Sequence, residues 1–265
     1  MSNPIRNIVL LGAGNMATVL GKGLHGQGFN IVQVYNRTLS SAQVLAQQLE
    51  CASTDQLQDL DQAADLYILC VSDIAIEQIV PQLTYLEKNK GFLVHTSGAT
   101  PSTVLASHFT RYGVFYPLQS LSKTSPTDLT TVPFCLDAPA PSDLLQLEVL
   151  ARHLSQKVYL INDQQRSRLH VAAVFVNNFS NHLYHLMDQW LAAEQVPFEL
   201  LHPLILGGAQ KVRELSPRAA QTGPAIRGDQ NTIRRHLEIL EKTRPDLAEL
   251  YRKFTESINP DLPSS

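Results

Sequence analysis

The apolar positions change rhythm along the chain, and the changes mark its elements. Asn7 to Leu11 is a short apolar run stopped by Gly12, and from Asn15 to Gly26 the residues Met16, Val19, Leu20 and Leu24 return at helical spacing. Ile31–Tyr35 reads as a second strand and Ser40–Leu49 as a second helix, giving a strand–helix–strand unit with a further helix. The alternation continues through strand Leu66–Val71, helix Ile74–Leu86, strand Gly91–Thr96 and helix Pro101–Phe109. Strands Gly113–Leu118 and Val132–Leu136, helix Ser142–Leu154 and strand Lys157–Ile161 follow. Such alternation predicts a mostly parallel sheet covered by helices on both faces. Residues 120–131, rich in Ser, Thr and Pro, read as an irregular excursion beside the sheet edge.

After Ile161 every element reads as helix: Asp163–Ala193, Glu199–Leu215, Asp229–Lys242 with Asp229 as N-cap, and Pro245–Ser257 with proline at its first position. The expected fold is α/β, with a sheet domain over residues 1–162 and a second, all-helical C-terminal domain over 163–265. Residues 169–187 contain no Asp, Glu, Lys or Arg. There Leu169, Ala172, Val176, Phe179, Leu183, Leu186 and Trp190 make one stripe in steps of three and four, which is expected to be core. At about 100° per residue, His170, Val174, Asn177, Asn178, Asn181 and His185 gather on the other side, with His182 at the edge. That many imidazoles and amides argue against a membrane span. The polar face either meets solvent or a second subunit, or it contacts a cofactor or substrate. Metal binding is disfavoured, since no carboxylate or thiolate joins the histidines at a ligand spacing.

Composition narrows the picture. The chain has 265 residues, 44% of them hydrophobic and 17% charged, enough for two cores. A net charge of −3 supplies no broad positive field, which argues against nucleic acid or an anionic membrane as partner. Cys51, Cys70 and Cys135 are an odd number in apolar surroundings and read as core thiols of a reducing compartment. With no signal-like start at Met1–Arg6, a cytoplasmic location is expected.

The candidate chemistry begins at Gly12-Ala13-Gly14-Asn15-Met16-Ala17, a G-x-G-x-x-A pattern placed directly after a strand and opening a helix. Gly12 permits the tight turn, Gly14 lets backbone approach a pyrophosphate, and Ala17 allows close helix–strand packing. The pattern reads as the phosphate turn of a Rossmann-type dinucleotide domain, with N–H groups and the helix end drawing the phosphates, rather than as a glycine turn without a ligand. The second strand ends in Asn36-Arg37-Thr38 where an NAD-binding chain would carry an acidic residue. Arg37, with hydroxyls from Thr38, Ser40 and Ser41, suits a 2′-phosphate, so NADP is expected over NAD.

In doubly wound sheets ligands cross the strand carboxyl ends, which brings in Val71-Ser72-Asp73 and Thr96-Ser97-Gly98. Val71, Ser72 and Ser97 are cofactor candidates, whereas Asp73 reads as the cap of the helix beginning at Ile74. His95 reads as a core histidine. In Thr222-Gly223-Pro224-Ala225-Ile226-Arg227-Gly228-Asp229, Arg227 either clamps an anionic group or pairs with Asp229 and shapes the loop.

Taken together, residues 12–17, Asn36-Arg37-Thr38, Thr96-Ser97-Gly98-Ala99, Tyr116-Pro117-Leu118-Gln119-Ser120, His170-Val171-Ala172-Ala173 with Asn177-Asn178, and Thr222–Asp229 resemble one family over nearly the whole chain. It is the Rossmann-like proteins whose second half is domain of unknown function 2520. The resemblance implies a Rossmann domain followed by a helical domain, homodimers, and an NADP-dependent oxidoreductase without an established substrate. More distantly the chain is similar to pyrroline-5-carboxylate reductases, deazaflavin-linked NADP reductases and β-hydroxyacid dehydrogenases. The dehydrogenases carry a catalytic lysine one helical turn before an asparagine, whereas here Ala173 and Val174 stand one turn before Asn177 and Asn178.

Two functions follow as expectations. The first is hydride transfer between NADPH and a small, anionic carbonyl or imine substrate bound between the two domains. Ser97 would lie near the nicotinamide, His170 or His182 would give the proton, Asn178 would orient the substrate and Arg227 would hold its charge. The second is a non-catalytic NADP-binding sensor or scaffold acting through its helical domain, which the missing lysine favours.

Overall fold

The computed structural model describes residues 4–125 and 127–262. They parse into two compact units, 1–181 and 182–265. The strands do end before residue 162, but the first turns of the following helix are hydrogen-bonded to Thr100 and Ser102 and fall in the first unit.

The first unit opens with strand β1 (Asn7–Leu11), helix α1 (Asn15–Gly26), β2 (Asn30–Tyr35), α2 (Leu39–Leu49), β3 (Ala52–Thr54), β4 (Leu66–Leu69), α3 (Asp73–Ile79) and β5 (Phe92–His95). It continues with α4 (Thr103–Ala106), β6 (Tyr112–Pro117), β7 (Phe134–Asp137), α5 (Pro141–Leu154), β8 (Val158–Leu160) and α6 (Asp163–Ala173). The eight strands lie in the order β3-β2-β1-β4-β5-β6-β7-β8. All pairs are parallel except β6–β7, so the last two strands run against the other six. The order reverses between β1 and β4, the switch point where such sheets bind ligands.

Strict alternation explains why the sheet is covered on both faces. Ile8 and Leu10 face one way and meet Leu20, Leu24, Leu45, Leu147 and Leu150 from α1, α2 and α5. Val9 and Leu11 face the other way and meet Ile76, Leu83, Leu86 and Leu105. Each fully buried leucine contributes about 1.5–3 kcal/mol.

Several expected elements are redrawn by local chemistry. The helix expected over Ile74–Leu86 stops at Ile79 and tightens into a 3₁₀ run, Val80–Asn89. Pro81 is the reason, since it has no N–H to give and its ring crowds the preceding turn. The helix expected over Pro101–Phe109 contracts to α4, because Leu105 and His108 donate to carbonyls only three residues back. Asp73 does not cap α3: Ser72 occupies the N-cap and no side chain bonds there.

The long helix is interrupted by a π-helical stretch, Val174–Phe179, before α7 (Ser180–Ala193). A π turn holds one extra residue, so positions beyond it are rotated by about 100° from where a uniform helix would put them. The face drawn at constant period therefore holds at its two ends and fails in its middle. Leu169 packs beside Val114, Tyr116 and Cys135, and Leu186 and Trp190 pack in the helical unit. Between them Val176 is 76% and Phe179 50% exposed, so the middle of the stripe is not core within one chain.

The second unit comprises most of α7, then α8 (His202–Glu214), α9 (Pro217–Ala220), α10 (Pro224–Arg227), α11 (Gln230–Thr243) and α12 (Pro245–Ile258). Its buried centre is small: Ile233, Leu237 and Leu240 of α11 against Leu247 and Ala248 of α12. Asp229 caps α11 by accepting from the Thr232 N–H at 3.1 Å. Among the described residues no helix is long and apolar enough to cross a membrane.

Candidate active site at the carboxyl edge of the sheet

Gly12 sits at the switch point with φ +121°, a conformation that L side chains rarely adopt. A Cβ there would lie 2.4 Å from the Cys70 carbonyl oxygen, so only glycine lets the β1 turn close against the end of β4. Gly14 is the opposite case, with open space where its Cβ would project. It forms the N-cap of α1 without any side-chain bond, and the first turn carries no acidic residue. Asn15 and Met16 open that turn and Ala17 is buried against the sheet, so the main-chain donors of the first turn meet neither a capping side chain nor an acidic residue, as an anion site requires.

Asn36 donates to the Thr38 carbonyl at 3.1 Å and shapes the turn that leaves Arg37 and Thr38 exposed at the end of β2. Ser40 and Ser41 line a polar groove of about 300 Å³ together with Thr18, Lys22 and Lys123. Lys123 was not foreseen as a site residue. Its backbone N–H donates to Asn15 Oδ1 at 3.2 Å, which ties the 120–131 excursion to the mouth of the glycine turn. Val71 and the exposed Ser72 follow β4 on the same edge.

After β5 the chain turns through Ser97 and Gly98. The Ser97 hydroxyl accepts from Ala99 N at 3.1 Å and Thr100 N at 2.8 Å, so it staples its own loop and keeps only its proton to offer a ligand. His95 is fully buried and accepts from Ser97 N at Nδ1. Burial, and then the nearby Arg166 guanidinium, push its pKa down to about 4, so it is a neutral structural group.

The register of the last strands brings further groups to this loop. His95 pairs with Val114, so β6 overshoots β5 and carries Tyr116 beyond its end. Leu160 pairs with Leu136, itself opposite Phe115, so the reversed strand β8 finishes close to the level where β5 ends. Helix α6 starts there, capped by a reciprocal Asn162–Gln165 pair. Asp163 accepts from Ser102 N at 2.8 Å and from the Ser102 hydroxyl at 3.0 Å. Arg166, 1% exposed, donates to the Thr100 carbonyl at 2.6 Å and to Asp163 at 2.7 Å. Burial raises the Asp163 pKa, but the Ser102 and Arg166 hydrogen bonds outweigh it and hold the carboxyl below its usual range.

One turn further on, His170 Nδ1 lies 3.2 Å from the Tyr116 hydroxyl, and the two rings meet edge-on at 6.2 Å between centroids. Both press on Gly98, where a Cβ would come within 2.5 Å of His170 Nδ1 and 2.8 Å of the Tyr116 hydroxyl. Of the catalytic candidates, then, His170 reaches Gly98, the residue after Ser97, at the sheet edge. Asn178 lies in the π stretch and is exposed. His182 and Arg227 belong to the helical unit, both exposed, and Arg227 lies close enough to help depress the Asp229 carboxyl after its hydrogen bonds to Thr232. Among the described residues no three His, Cys, Asp or Glu side chains gather to hold a metal.

A solved structure from Bacteroides fragilis, provisionally named an NADP oxidoreductase, is 42% identical, covers 97% of this chain and 98% of its own, and superposes with a TM-score of 0.89. The chain belongs to that family. Residues 132–258 match the family described as Domain of unknown function (DUF2520), and residues 3–90 match Shikimate / quinate 5-dehydrogenase. The family is therefore one of Rossmann-type oxidoreductases with a helical C-terminal region, as the sequence motifs implied. A protein from Thermotoga maritima (21% identity, 95% and 96% coverage, TM-score 0.74) and a reductive aminase from Aspergillus terreus (14% identity, 99% and 97% coverage, TM-score 0.70) share the fold. No curated protein matches the sequence.

Proposed function

We propose that this family member is an NADP-dependent oxidoreductase that reduces a small carbonyl or imine compound beside Ser97 and Gly98. The observation that carries the reading is His170, a titratable side chain anchored at Gly98 on the edge that the Gly12 turn opens. Gly12, Gly14, Asn15, Met16 and Ala17 would hold the pyrophosphate, Arg37 and Thr38 the 2′-phosphate, and Val71, Ser72 and Ser97 the inner half of the cofactor. When bound, NADPH supplies the hydride. His170 supplies the proton at the reacting oxygen or nitrogen, and Asn178 orients that atom. The Aspergillus reductive aminase, solved with NADPH and ethyl-5-oxohexanoate, supports the chemistry by analogy of fold. The NADP oxidoreductase name of the Bacteroides relative supports the choice of coenzyme.

The partner belongs to the same proposal. Val171, Phe175, Val176 and Phe179 on the long helix, and Leu200, Leu204 and Leu206 in the helical unit, are all at least half exposed. Large apolar groups left in water at this density mark a protein interface. A second copy of the chain is the occupant we assign, because like apolar faces bury one another in a two-fold pair.

Calorimetry with NADPH and NADH on wild type and Arg37→Ala tests the cofactor, and NADPH oxidation over a carbonyl and imine panel tests the reaction. NADPH should bind tighter than NADH, and Arg37→Ala should erase the difference. His170→Ala should retain NADPH binding and lose about 100-fold in kcat. Heat from neither coenzyme, or tighter NADH, overturns the cofactor assignment. Binding without turnover anywhere in the panel points instead to a sensor.

A further inference from the structure

Tyr116 is nearly buried beside Val114, Cys135 and Leu169, yet its hydroxyl has one hydrogen-bond partner among the described residues, Nδ1 of His170. A buried phenol proton without an acceptor is costly, whereas an imidazole nitrogen without its proton is a good acceptor. This favours the hydroxyl as donor and the ring nitrogen as acceptor. Burial also favours the protonated phenol, although the Arg166 guanidinium acts in the opposite sense. With Nδ1 occupied as acceptor, a neutral His170 carries its proton on Nε2.

We propose that Tyr116 is the proton reservoir behind His170, fixing the Nε2–H tautomer and refilling the ring from its far side as the ring gives up its proton. The inference rests on the oxidoreductase reading above and adds a positioning and relay residue to it. In the forward step the His170 Nε2–H bond breaks as a bond forms from that proton to the substrate oxygen or nitrogen. At the same time the Tyr116 O–H bond breaks and Nδ1–H forms, so the imidazole stays neutral throughout. The phenolate left behind is favoured by the Arg166 charge, and the pair resets when Nε2 takes up a proton from solvent and the Nδ1 proton returns to the Tyr116 oxygen. Gly98 is what allows the pair to meet, since any side chain there would part them.

The tautomer can be read without substrate or turnover. Nitrogen NMR of His170 in the full chain should show the Nε2–H form, with a Nδ1 signature of an accepting nitrogen. Tyr116→Phe should release the ring to a mixture of both forms, and Gly98→Ala, which keeps both rings, should do the same by separating them. If a substrate has been found, Tyr116→Phe should lower kcat at least 10-fold with KM and NADPH affinity unchanged, and flatten the dependence of kcat on deuterated solvent. An Nδ1–H tautomer in the wild type, or one that neither substitution alters, overturns the relay even where turnover is robust. A correct tautomer with no turnover from any carbonyl or imine leaves the relay geometry standing and removes the reaction assigned to it.

Discussion

The two compact units bury their apolar residues to different degrees. In the sheet unit, both faces close over complete layers, and residues such as Leu10, Phe92, Phe115 and Phe134 are wholly removed from water. In the helical unit, five side chains form the buried centre while Leu200, Leu204 and Leu206 lie mostly in solvent, Leu204 at 73%. An apolar groove of about 460 Å³ between α7, α11 and α12 adds to the deficit, lined by Leu183, Trp190, Leu240 and Phe254. The sheet unit thus closes its strand layers by itself and leaves large apolar groups in water only beyond them, as at Val171, Phe175, Val176 and Phe179, whereas the helical unit leaves exposed leucines beside a small core.

The sharpest probe of this contrast lies in the sheet layer. Phe115→Ala should cost about 4 kcal/mol in urea unfolding, through lost burial and a cavity that rigid neighbours cannot fill. The loss should not depend on protein concentration. A concentration-dependent loss would place part of the sheet core at an interface and break the contrast.

A smaller effect is expected where the sheet unit meets its own helix. Asp163→Asn leaves the buried Arg166 without its counter-ion. The cost should be about 2 kcal/mol, below the range for a fully buried pair because Asp163 keeps contact with water. Since the folded pKa of Asp163 is held below its ordinary 3.8, the carboxylate contributes stability above pH 3.8 and loses it as pH falls through the lower folded value. Urea midpoints of wild type and variant should therefore differ at pH 7 and converge in acid. A gap that widens on acidification would refute the sign.

The smallest intrinsic effect belongs to the helical unit. Leu204→Glu changes an exposed position and should alter the stability of an isolated chain by no more than about 0.5 kcal/mol. If a second copy covers this face, the wild-type melting temperature rises with protein concentration and that dependence vanishes in the variant. Sedimentation equilibrium should show the dimer lost. A wild type that sediments as a monomer at every concentration would mean that the exposed leucines serve another partner.

Much of the sheet unit was legible because periods of two and 3.6 carry their own evidence. The strand cores of β1, β2, β4 and β6, the glycine turn and the capped start of α11 were all written in local residue order. The three-residue β3 was too short to leave a pattern, and the direction of β7 leaves none, since an apolar run looks the same read either way. The π stretch escaped because its sequence has no distinguishing residue; Leu186 and Trp190 beyond it pack inward as the stripe predicted, while Val176 and Phe179 within it do not. At the candidate site, Gly12, Gly14 and Arg37 could be singled out because the expectation for each rests on its own backbone or charge. Tyr116, Asp163 and Arg166 act through one another across long separations, and the Tyr116–His170 contact spans 54 positions that only the folded register brings together.

That register has a mechanical consequence. The distance between Tyr116 and His170 is set by how β7 aligns with β6 and β8 with β7, two short edge pairings of three or four rungs. Sliding either pairing by a single rung would displace the start of α6 by about 3.3 Å, as much as the whole span of the contact it delivers. The edge of the sheet therefore works as a vernier: mutations far out on its last two strands can tune the alignment of the proton-bearing ring without touching any residue around it.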